Sequence, residues 1–374
     1  MMSRLYILHE NGAPRHFESL FHLNKEQGLY DEIVQVEFTF LRQLIKGIVR
    51  RRPEFLLKGI KNFWVILTLI FSKNKHLIIG AAPYDAFIYL LYILKLNHQV
   101  TYYSSWPYWN KERYPKKIRS NLQFRLWEKF LEDINVVGVT DHVTRGLSNY
   151  TSSTTVIPHC VDPNIFRYQE SSKDRTVFRV LYVGRLIQDK GIRDIIEMIN
   201  SLKRERNLEW WFVGSGELSK EIEEISQSSS NVKFFGQIKE QAKLSEIYNA
   251  CDVLLLPSKP SSNWEELFGI VIIEAMSCGV IPISSDAVGP RTIIEHGKNG
   301  YILSSPMVVE DALNLILEVK NNAKLWEQLS YEALKTVTQK YTIDITSDLW
   351  SIALNKLHSE LNAHKNYKQS KLGG

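Results

Sequence analysis

Val180-Leu-Tyr-Val183 is a fully apolar run that ends at Gly184-Arg185 and gives way to apolar residues at helical spacing, Ile192, Ile195, Ile196 and Ile199. A buried strand followed within a few residues by an amphipathic helix is half of a crossover unit, and crossovers are what parallel strands require. The same alternation recurs along the chain. Leu5–Leu8, Leu77–Ile79, Val100–Tyr103, Val136–Val139 and Thr155–Ile157 read as one set of strands. Leu181–Val183, Trp210–Val213, Val232–Phe234, Val253–Leu256 and Ile281–Ser284 read as a second, with helical patterns between. This predicts an α/β protein built from two parallel-sheet domains in series. A length of 374 residues accommodates both. The polar stretch Arg167–Arg175 reads as the linker, so the domains are expected at 1–166 and 167–344.

Several classes are excluded at this level. Apolar residues at 44% and charged residues at 23% are ordinary for a globular chain. Cys160, Cys251 and Cys278 are odd in number and widely spaced, which suits neither a disulfide framework nor a zinc site. The start, Met-Met-Ser-Arg-Leu-Tyr-Ile-Leu, reads as a first strand rather than a signal peptide. The longest apolar stretches, Phe63–Phe71 and Ala86–Leu94, fall far short of the roughly 20 residues that span a bilayer. The expected location is therefore cytoplasmic.

Two segments carry chemistry. The first is Gly184-Arg185-Leu-Ile-Gln-Asp-Lys190-Gly191, which joins a strand to a helix. Open parallel sheets bind ligands just beyond the carboxyl ends of their strands. An arginine, a lysine and a helix N-terminus there suit a diphosphate; a solvated turn is the competing reading. The second is Glu266-Leu-Phe-Gly-Ile-Val-Ile-Ile-Glu274. If the helix starts near Gly269, eight steps of 100° put the two carboxylates about 80° apart on the wheel, facing one end of a cleft. Carboxylates so placed accept hydrogen bonds from sugar hydroxyls. Two solvated carboxylates on an amphipathic helix are the competing reading.

Taken together, the order Gly184-Arg185-Leu186 to Lys190-Gly191, Gly214-Ser-Gly216, Phe235-Gly236, Pro257-Ser258, Glu266 to Gly279, Pro282 and Gly297-Lys-Asn-Gly300 resembles the retaining GT-B glycosyltransferases of family 4, the group 1 glycosyl transferases. The likeness covers about residues 178–303, and Val156 to Phe166 resembles the hinge segment of that family. It implies two Rossmann-like, doubly wound domains facing across a cleft. The first would bind acceptor and the second the nucleotide-sugar donor, with a C-terminal helix, here about 345–364, packing back on the first. Trp350 is the expected anchor of that helix. The resemblance assigns catalytic roles to Arg185, Lys190 and Glu266. It assigns donor binding to Gly184, Arg185, Lys190, Gly214, Gly236, Ile238, Glu266, Leu267, Phe268, Gly269, Ile270 and Glu274. Glu274 would hold the ribose, Glu266 the transferred sugar, and Gly236-Gln237-Ile238 would lie near the base. The donor would be a UDP- or GDP-sugar and the acceptor a glycan or lipid-linked sugar of cell-surface polysaccharide or glycolipid assembly. Because no Asp-x-Asp pair occurs, fixed cations rather than a metal are expected to neutralise the leaving diphosphate, and no cofactor is expected. A same-fold sugar-nucleotide epimerase and a catalytically silent sugar-binding subunit are the alternatives.

The first domain departs from the family pattern. Tyr102-Tyr-Ser-Ser-Trp106 holds no histidine where many members carry one, which leaves Ser104, Ser105 and Trp106 as candidate contacts. The glycine-rich loop is reduced to Asn11-Gly12-Ala13, followed by His16, a residue that either approaches the phosphates or packs. Thr292 stands where the family often has a carboxylate, and the stretch between Ser258 and Glu266 is long enough for a donor-sugar lid. Charge is uneven as well. Residues 1–165 hold 21 Lys+Arg against 14 Asp+Glu, a net +7, whereas the rest sums to −2. Lys46, Arg50, Arg51, Arg52, Lys58 and Lys61 lie beside Phe63–Phe71, and Lys111, Arg113, Lys116, Lys117 and Arg119 beside Trp106, Tyr108, Trp109 and Tyr114. Such clusters suit a solvated face or peripheral contact with an anionic membrane at its inner face. Nucleic acid is not an expected partner, since no motif that reads it is present.

Overall fold

The computed structural model describes residues 4–10, 12, 14–109, 117–170, 176–259, 265–304 and 308–355. The chain separates into two compact units, Met1–His159 with Thr346–Gly374, and Cys160–Ile345.

Unit 1 is built on β1 (Arg4–His9), β2 (Glu32–Glu37), β3 (His76–Gly80), β4 (Gln99–Ser104), β5 (Asn135–Gly138) and β6 (Thr154–Val156), all parallel in the order β2-β1-β3-β4-β5-β6. β3 is buried along its whole length, as expected of a strand covered on both faces. The edge strand β2, Glu-Ile-Val-Gln-Val-Glu, is half exposed and has no continuous apolar run, so its sequence gave no strand reading. Helices α1 (Glu18–Gln27), α2 (Phe40–Val49), α3 (Pro53–Phe71), α4 (Ile88–Asn97), α5 (Asn121–Leu131) and α6 (Asp141–Leu147) fill the connections. Tyr84, Tyr102, Trp109, Trp127 and Phe130 form an aromatic core, with ring centroids 5.5–6.2 Å apart. Three of its polar tips bond to backbone carbonyls: the Trp127 indole donates to Asp85 at 2.9 Å, the Tyr102 hydroxyl to Ala81 at 2.8 Å and the Trp109 indole to Trp106 at 3.0 Å.

Unit 2 repeats the plan with β7 (Phe178–Val183), β8 (Leu208–Val213), β9 (Val232–Phe234), β10 (Val253–Leu256), β11 (Ile281–Ser285) and β12 (Tyr301–Leu303), parallel in the order β12-β11-β10-β7-β8-β9. Helices α7 (Ile192–Ser201), α8 (Ser219–Ser228), α9 (Gln241–Asn249), α10 (Ile270–Ser277), α11 (Val288–Ile293), α12 (Val308–Asn321) and α13 (Ala323–Lys340) connect and flank the strands. The chain winds outward from β7 to β9 and then returns to place β10 on the other side of β7. The β7/β10 border is thus the switch point, where an open sheet offers a crevice. In unit 1 the corresponding border is β1/β3.

The unit boundary falls after His159, before the linker expected at residues 167–175. Val161 accounts for this: it donates to the Tyr341 carbonyl and accepts from the Ile343 amide, both at 2.9 Å, which ties the segment into unit 2. Residues 343–355 are helical, and those from Thr346 onward cluster with unit 1. Trp350 is buried there and, with Leu354, lines a small gap against β4, β5 and β6. The expected remainder of that helix, to about residue 364, lies outside the described residues.

Candidate functional site

The loops at the carboxyl ends of β7, β8 and β9 interlock. The Gly184 amide donates to the Val213 carbonyl at 3.0 Å, the Gly214 amide to Gly236 at 2.8 Å, and the Leu186 amide to Ser215 at 3.0 Å. A Cβ on Gly214 would stand 1.8 Å from the Gly184 carbonyl oxygen, so only glycine permits this approach. The second close approach brings in the other side of the switch point. Gly191 caps α7 at φ +71°, and a Cβ there would lie 2.0 Å from the Pro257 carbonyl oxygen at the end of β10. The Lys259 amide then donates to the Asp189 carbonyl at 2.8 Å, and its ammonium pairs with Asp194 at 2.7 Å in the first turn of α7. In this way the Arg185–Gly191 loop and the loop after β10 are held as one surface.

Lys190 and Glu266, 76 residues apart, meet on that surface as an ion pair, both largely but not fully buried. Arg185, on the same loop as Lys190, is exposed and forms no ion pair with a carboxylate among the described residues. Tyr182, the penultimate residue of β7, lies beneath. Its hydroxyl donates to the Arg185 carbonyl at 2.7 Å, and burial, reinforced by the Glu266 charge, pushes its phenol well above the ordinary range. The turn bearing Glu266 is fixed from the far side. The Glu266 carbonyl accepts from the Gly289 amide at 2.9 Å, and the buried Glu265 carboxylate accepts from the Val288 amide at 2.9 Å at the start of α11.

The carboxylate geometry differs from the wheel expectation. α10 begins at Ile270, after Gly269 at φ +93°, so Glu266 lies outside the helix and the 80° relation does not apply to it. Glu266 is partly open, whereas Glu274, inside α10, is fully buried and accepts from the Tyr248 hydroxyl at 3.1 Å. Phe268 is buried with its ring edge-on to Tyr341, while Leu267 and Ile270 are half-buried beside it. Gly236, at φ +65°, has open space on its Cβ side, and Ile238 follows half-buried. Thr292 donates to the Gly289 carbonyl at 2.7 Å, a role internal to α11. The expected sugar lid falls mainly on residues 260–264, outside the described residues. Sequence reasoning passed over Tyr182, Glu265 and the Lys259–Asp194 pair. The adjacent acid at 265 and the lysine directly after Pro257-Ser258 were the available signals.

In unit 1, Ser104 is buried and its hydroxyl accepts from the Trp106 amide at 3.1 Å; Trp106 is itself buried and Ser105 half-buried. Gly12 has φ +75° and lies near the Glu37 carboxylate, while Asn11 and Ala13 lie outside the described residues. His16 belongs to a cluster that the sequence reading did not assemble. His9 ends β1 at the switch point, His16 sits in the short turn Pro14–Phe17, and His159 follows β6. The His16 and His159 rings lie 4.4 Å apart, those of His9 and His16 5.6 Å, and the Tyr103 hydroxyl is bonded to His159 Nδ1 at 3.3 Å. Burial, and then the charge of His16 on His9 and of Arg15 on His16, lowers both to about 4, and burial with His16, Arg15 and His9 lowers His159 well below its ordinary value. Three neutral imidazoles therefore stand at the carboxyl ends of the unit 1 strands at neutral pH.

Residues 165–336, a little under half of the chain, match the family model for glycosyl transferases group 1. The matched residues lie within unit 2. A sucrose synthase of Solanum tuberosum is 28% identical over 196 residues, covering 47% of this chain and 24% of its own length. The match therefore spans about a quarter of that relative. Among solved structures, sucrose-phosphate synthase from Thermosynechococcus elongatus superposes with a TM-score of 0.68 at 17% identity, covering 97% of this chain and all of that one. Anabaena HepE in complex with UDP gives 0.67 at 18%, covering 95% and 100%. These likenesses establish the GT-B fold of two Rossmann-like domains, each carrying here one of the two six-stranded parallel sheets of the described residues.

Proposed function

We propose that this chain is a metal-independent, retaining glycosyltransferase that takes a hexosyl unit from a UDP- or GDP-sugar and delivers it to a glycan or lipid-linked acceptor. The observation that carries the reading is the placing of exposed Arg185 and the Lys190–Glu266 pair at the β7/β10 switch point. It is supported by the family match and by HepE, whose structures hold UDP and UDP-glucose. As the bond from the anomeric carbon to the diphosphate lengthens, negative charge gathers on the leaving oxygens. Arg185 forks to two of them and Lys190 supplies a compact charge. A diphosphate at Lys190 competes with Glu266 for the ammonium and frees that carboxylate for hydroxyls of the transferred sugar. Glu274 takes the ribose, exchanging the Tyr248 hydroxyl for ribose hydroxyls. The departing phosphate oxygen accepts the acceptor's proton on the face it leaves, which retains configuration. The test is product analysis over a panel of nucleotide sugars with and without oligosaccharide and lipid-linked acceptors. Acceptor-dependent release of nucleoside diphosphate with a retained anomer is expected. Acceptor-free interconversion of the sugar would replace this reading by an epimerase, and inertness towards every donor by a silent sugar-binding subunit.

A further inference from the structure

α2 and α3 form a helical hairpin whose two helices are drawn together by small residues. A Cβ on Gly47 would lie 2.7 Å from Leu56 Cγ, and one on Gly59 2.8 Å from Leu44 Cδ2. Between the helices, the Asn62 amide donates to Gln43 at 3.0 Å and the Gln43 amide to Glu37. Their inner faces are thus committed to each other and to the sheet, yet apolar residues also cover the outside. On α2, Leu41, Ile45, Ile48 and Val49 fall within about 100° of the wheel; on α3, Leu57, Ile60, Trp64 and Phe71 fall within about 60°. All eight are exposed, Val49 to 75% and Phe71 to 82%. With Phe63 they make nine of the fifteen exposed large apolar side chains among the described residues. Three more, Tyr89, Ile93 and Leu96, lie on α4, which packs beside α3. A concentration of this kind marks an interaction surface.

The charge identifies the partner. Residues 40–71 hold seven Lys+Arg and one Asp+Glu, a net +6. Three successive arginines, Arg50–Arg52, form the tip of the hairpin, and Arg52 pairs with Glu54, the single acid, at 3.3 Å. Arg42, Arg50, Arg51 and Lys61 form no ion pair among the described residues. Arg42, Lys46 and Arg50 line a groove of about 590 Å³ with Ile45, Val49 and Phe55, and at its wall Lys58 pairs with Glu37 at 3.2 Å. A second copy would set +6 against +6, which opposes self-association. α3, about 28 Å long, crosses no bilayer: no helix among the described residues is long and apolar enough. Basic residues flanking an exposed apolar stripe that carries Trp64 and Phe63 are the composition of a helix lying in a bilayer interface.

We propose that the α2–α3 hairpin is a membrane-docking device that inserts its outer apolar faces into an anionic bilayer surface, with Arg50–Arg52 and the groove cations on lipid phosphates. Of the second basic-aromatic cluster, Trp106 and Trp109 are buried, and Lys111, Arg113, Tyr114 and Lys116 lie outside the described residues. The inference is independent of the transfer chemistry. The test is co-sedimentation of the full chain with phosphatidylcholine vesicles, with and without phosphatidylglycerol, alongside calorimetric UDP and GDP binding as a separate readout. Binding is expected only to the anionic vesicles and to be reversed by salt. The triple change of Arg50, Arg51 and Arg52 to glutamine should lower partitioning by about two orders of magnitude, roughly fivefold per arginine, with nucleotide affinity unchanged. The three native cysteines are buried, so a polarity-sensitive dye on Val49→Cys labels the hairpin alone and should shift to the blue with anionic vesicles. Vesicle binding indifferent to lipid charge would overturn the proposal. So would a dye unmoved by vesicles, or a dimer that buries the hairpin and is dispersed by Ile48→Ser.

Discussion

Replacing Lys190 by alanine separates two tasks, the ion pair seen in the structure and the proposed neutralisation of the leaving diphosphate. In the unliganded chain its ammonium pairs with Glu266, and both side chains retain some exposure, 14% and 22%. Breaking a fully buried pair costs about 3–5 kcal/mol, and an exposed one contributes less than about 1. Partial exposure places this pair between them, so Lys190→Ala should destabilise by about 1–2 kcal/mol, most of it the unpaired Glu266 carboxylate. Turnover should suffer far more if, as proposed, Lys190 also faces the leaving diphosphate. Loss of one fixed donor at a developing anion costs about 10²–10³ in rate, or roughly 2.7–4 kcal/mol of barrier. The charge exchange Lys190→Glu with Glu266→Lys distinguishes the tasks. It restores an ion pair and should recover the melting temperature while leaving turnover down by at least the same 10²–10³. Initial rates under saturating donor, with parallel thermal melts, provide the measurement. Recovery of turnover along with stability in the exchanged variant would refute the reasoning, since the pair would then be structural alone.

Other expectations follow from the same geometry. Glu274→Gln should weaken free nucleotide about tenfold or more, by loss of charge-assisted hydrogen bonds worth about 1.5–3 kcal/mol each, whereas Glu266→Gln should spare nucleotide and lower transfer; equal effects in calorimetry would contradict that division. Transfer should persist in excess chelator if, as proposed, Arg185 and Lys190 supply the charge; activity abolished by EDTA and restored by manganese would show otherwise. In unit 1, His9 and His16 titrate at about 4 when folded and near 6.5 when unfolded. The unfolded chain therefore takes up more protons as pH falls, so their contribution is complete above about 6.5 and lost progressively towards 4. Each histidine accounts for an order of 3 kcal/mol over that window, and His16→Gln should flatten the acid limb of a melting-temperature profile; an unchanged limb would contradict the burial argument. Gly191→Ala should prevent stable folding of unit 2, since its Cβ meets the Pro257 carbonyl.

Much of this was legible in the residues. Strands with continuous apolar runs, such as Val253–Leu256 and Ile281–Ser285, are buried on both faces and announce themselves. Two of the four edge strands did not, whereas β6 and β9, at the opposite edges, were read. β2 is half exposed with no continuous apolar run, and β12 is three residues directly after the Gly297–Gly300 turn, where the turn signal dominates. The Gly184–Gly191 loop was placed correctly at the end of a strand because glycine, cation and helical periodicity follow one another locally. What sequence spacing could not supply was pairing across distance. Lys190 with Glu266, Lys259 with Asp194, and the His9, His16 and His159 cluster each depend on which strands lie side by side, a matter of winding order rather than local pattern. The helical-wheel argument for Glu266 failed for a local reason: α10 starts at Ile270 after the left-handed Gly269, and Glu266 precedes even the expected start by three residues, so it has no position on the wheel.

The central claim, that the β7/β10 switch point is a metal-free nucleoside diphosphate site, is tested most directly by thermal denaturation of the chain in EDTA with UDP, GDP, ADP or CMP. A ligand present at 100 times its dissociation constant stabilises by about 2.7 kcal/mol. The account predicts a shift with UDP or GDP that is absent with CMP and lost in Arg185→Ala. No shift with any diphosphate, or a shift that survives both Arg185→Ala and Lys190→Ala, would contradict it.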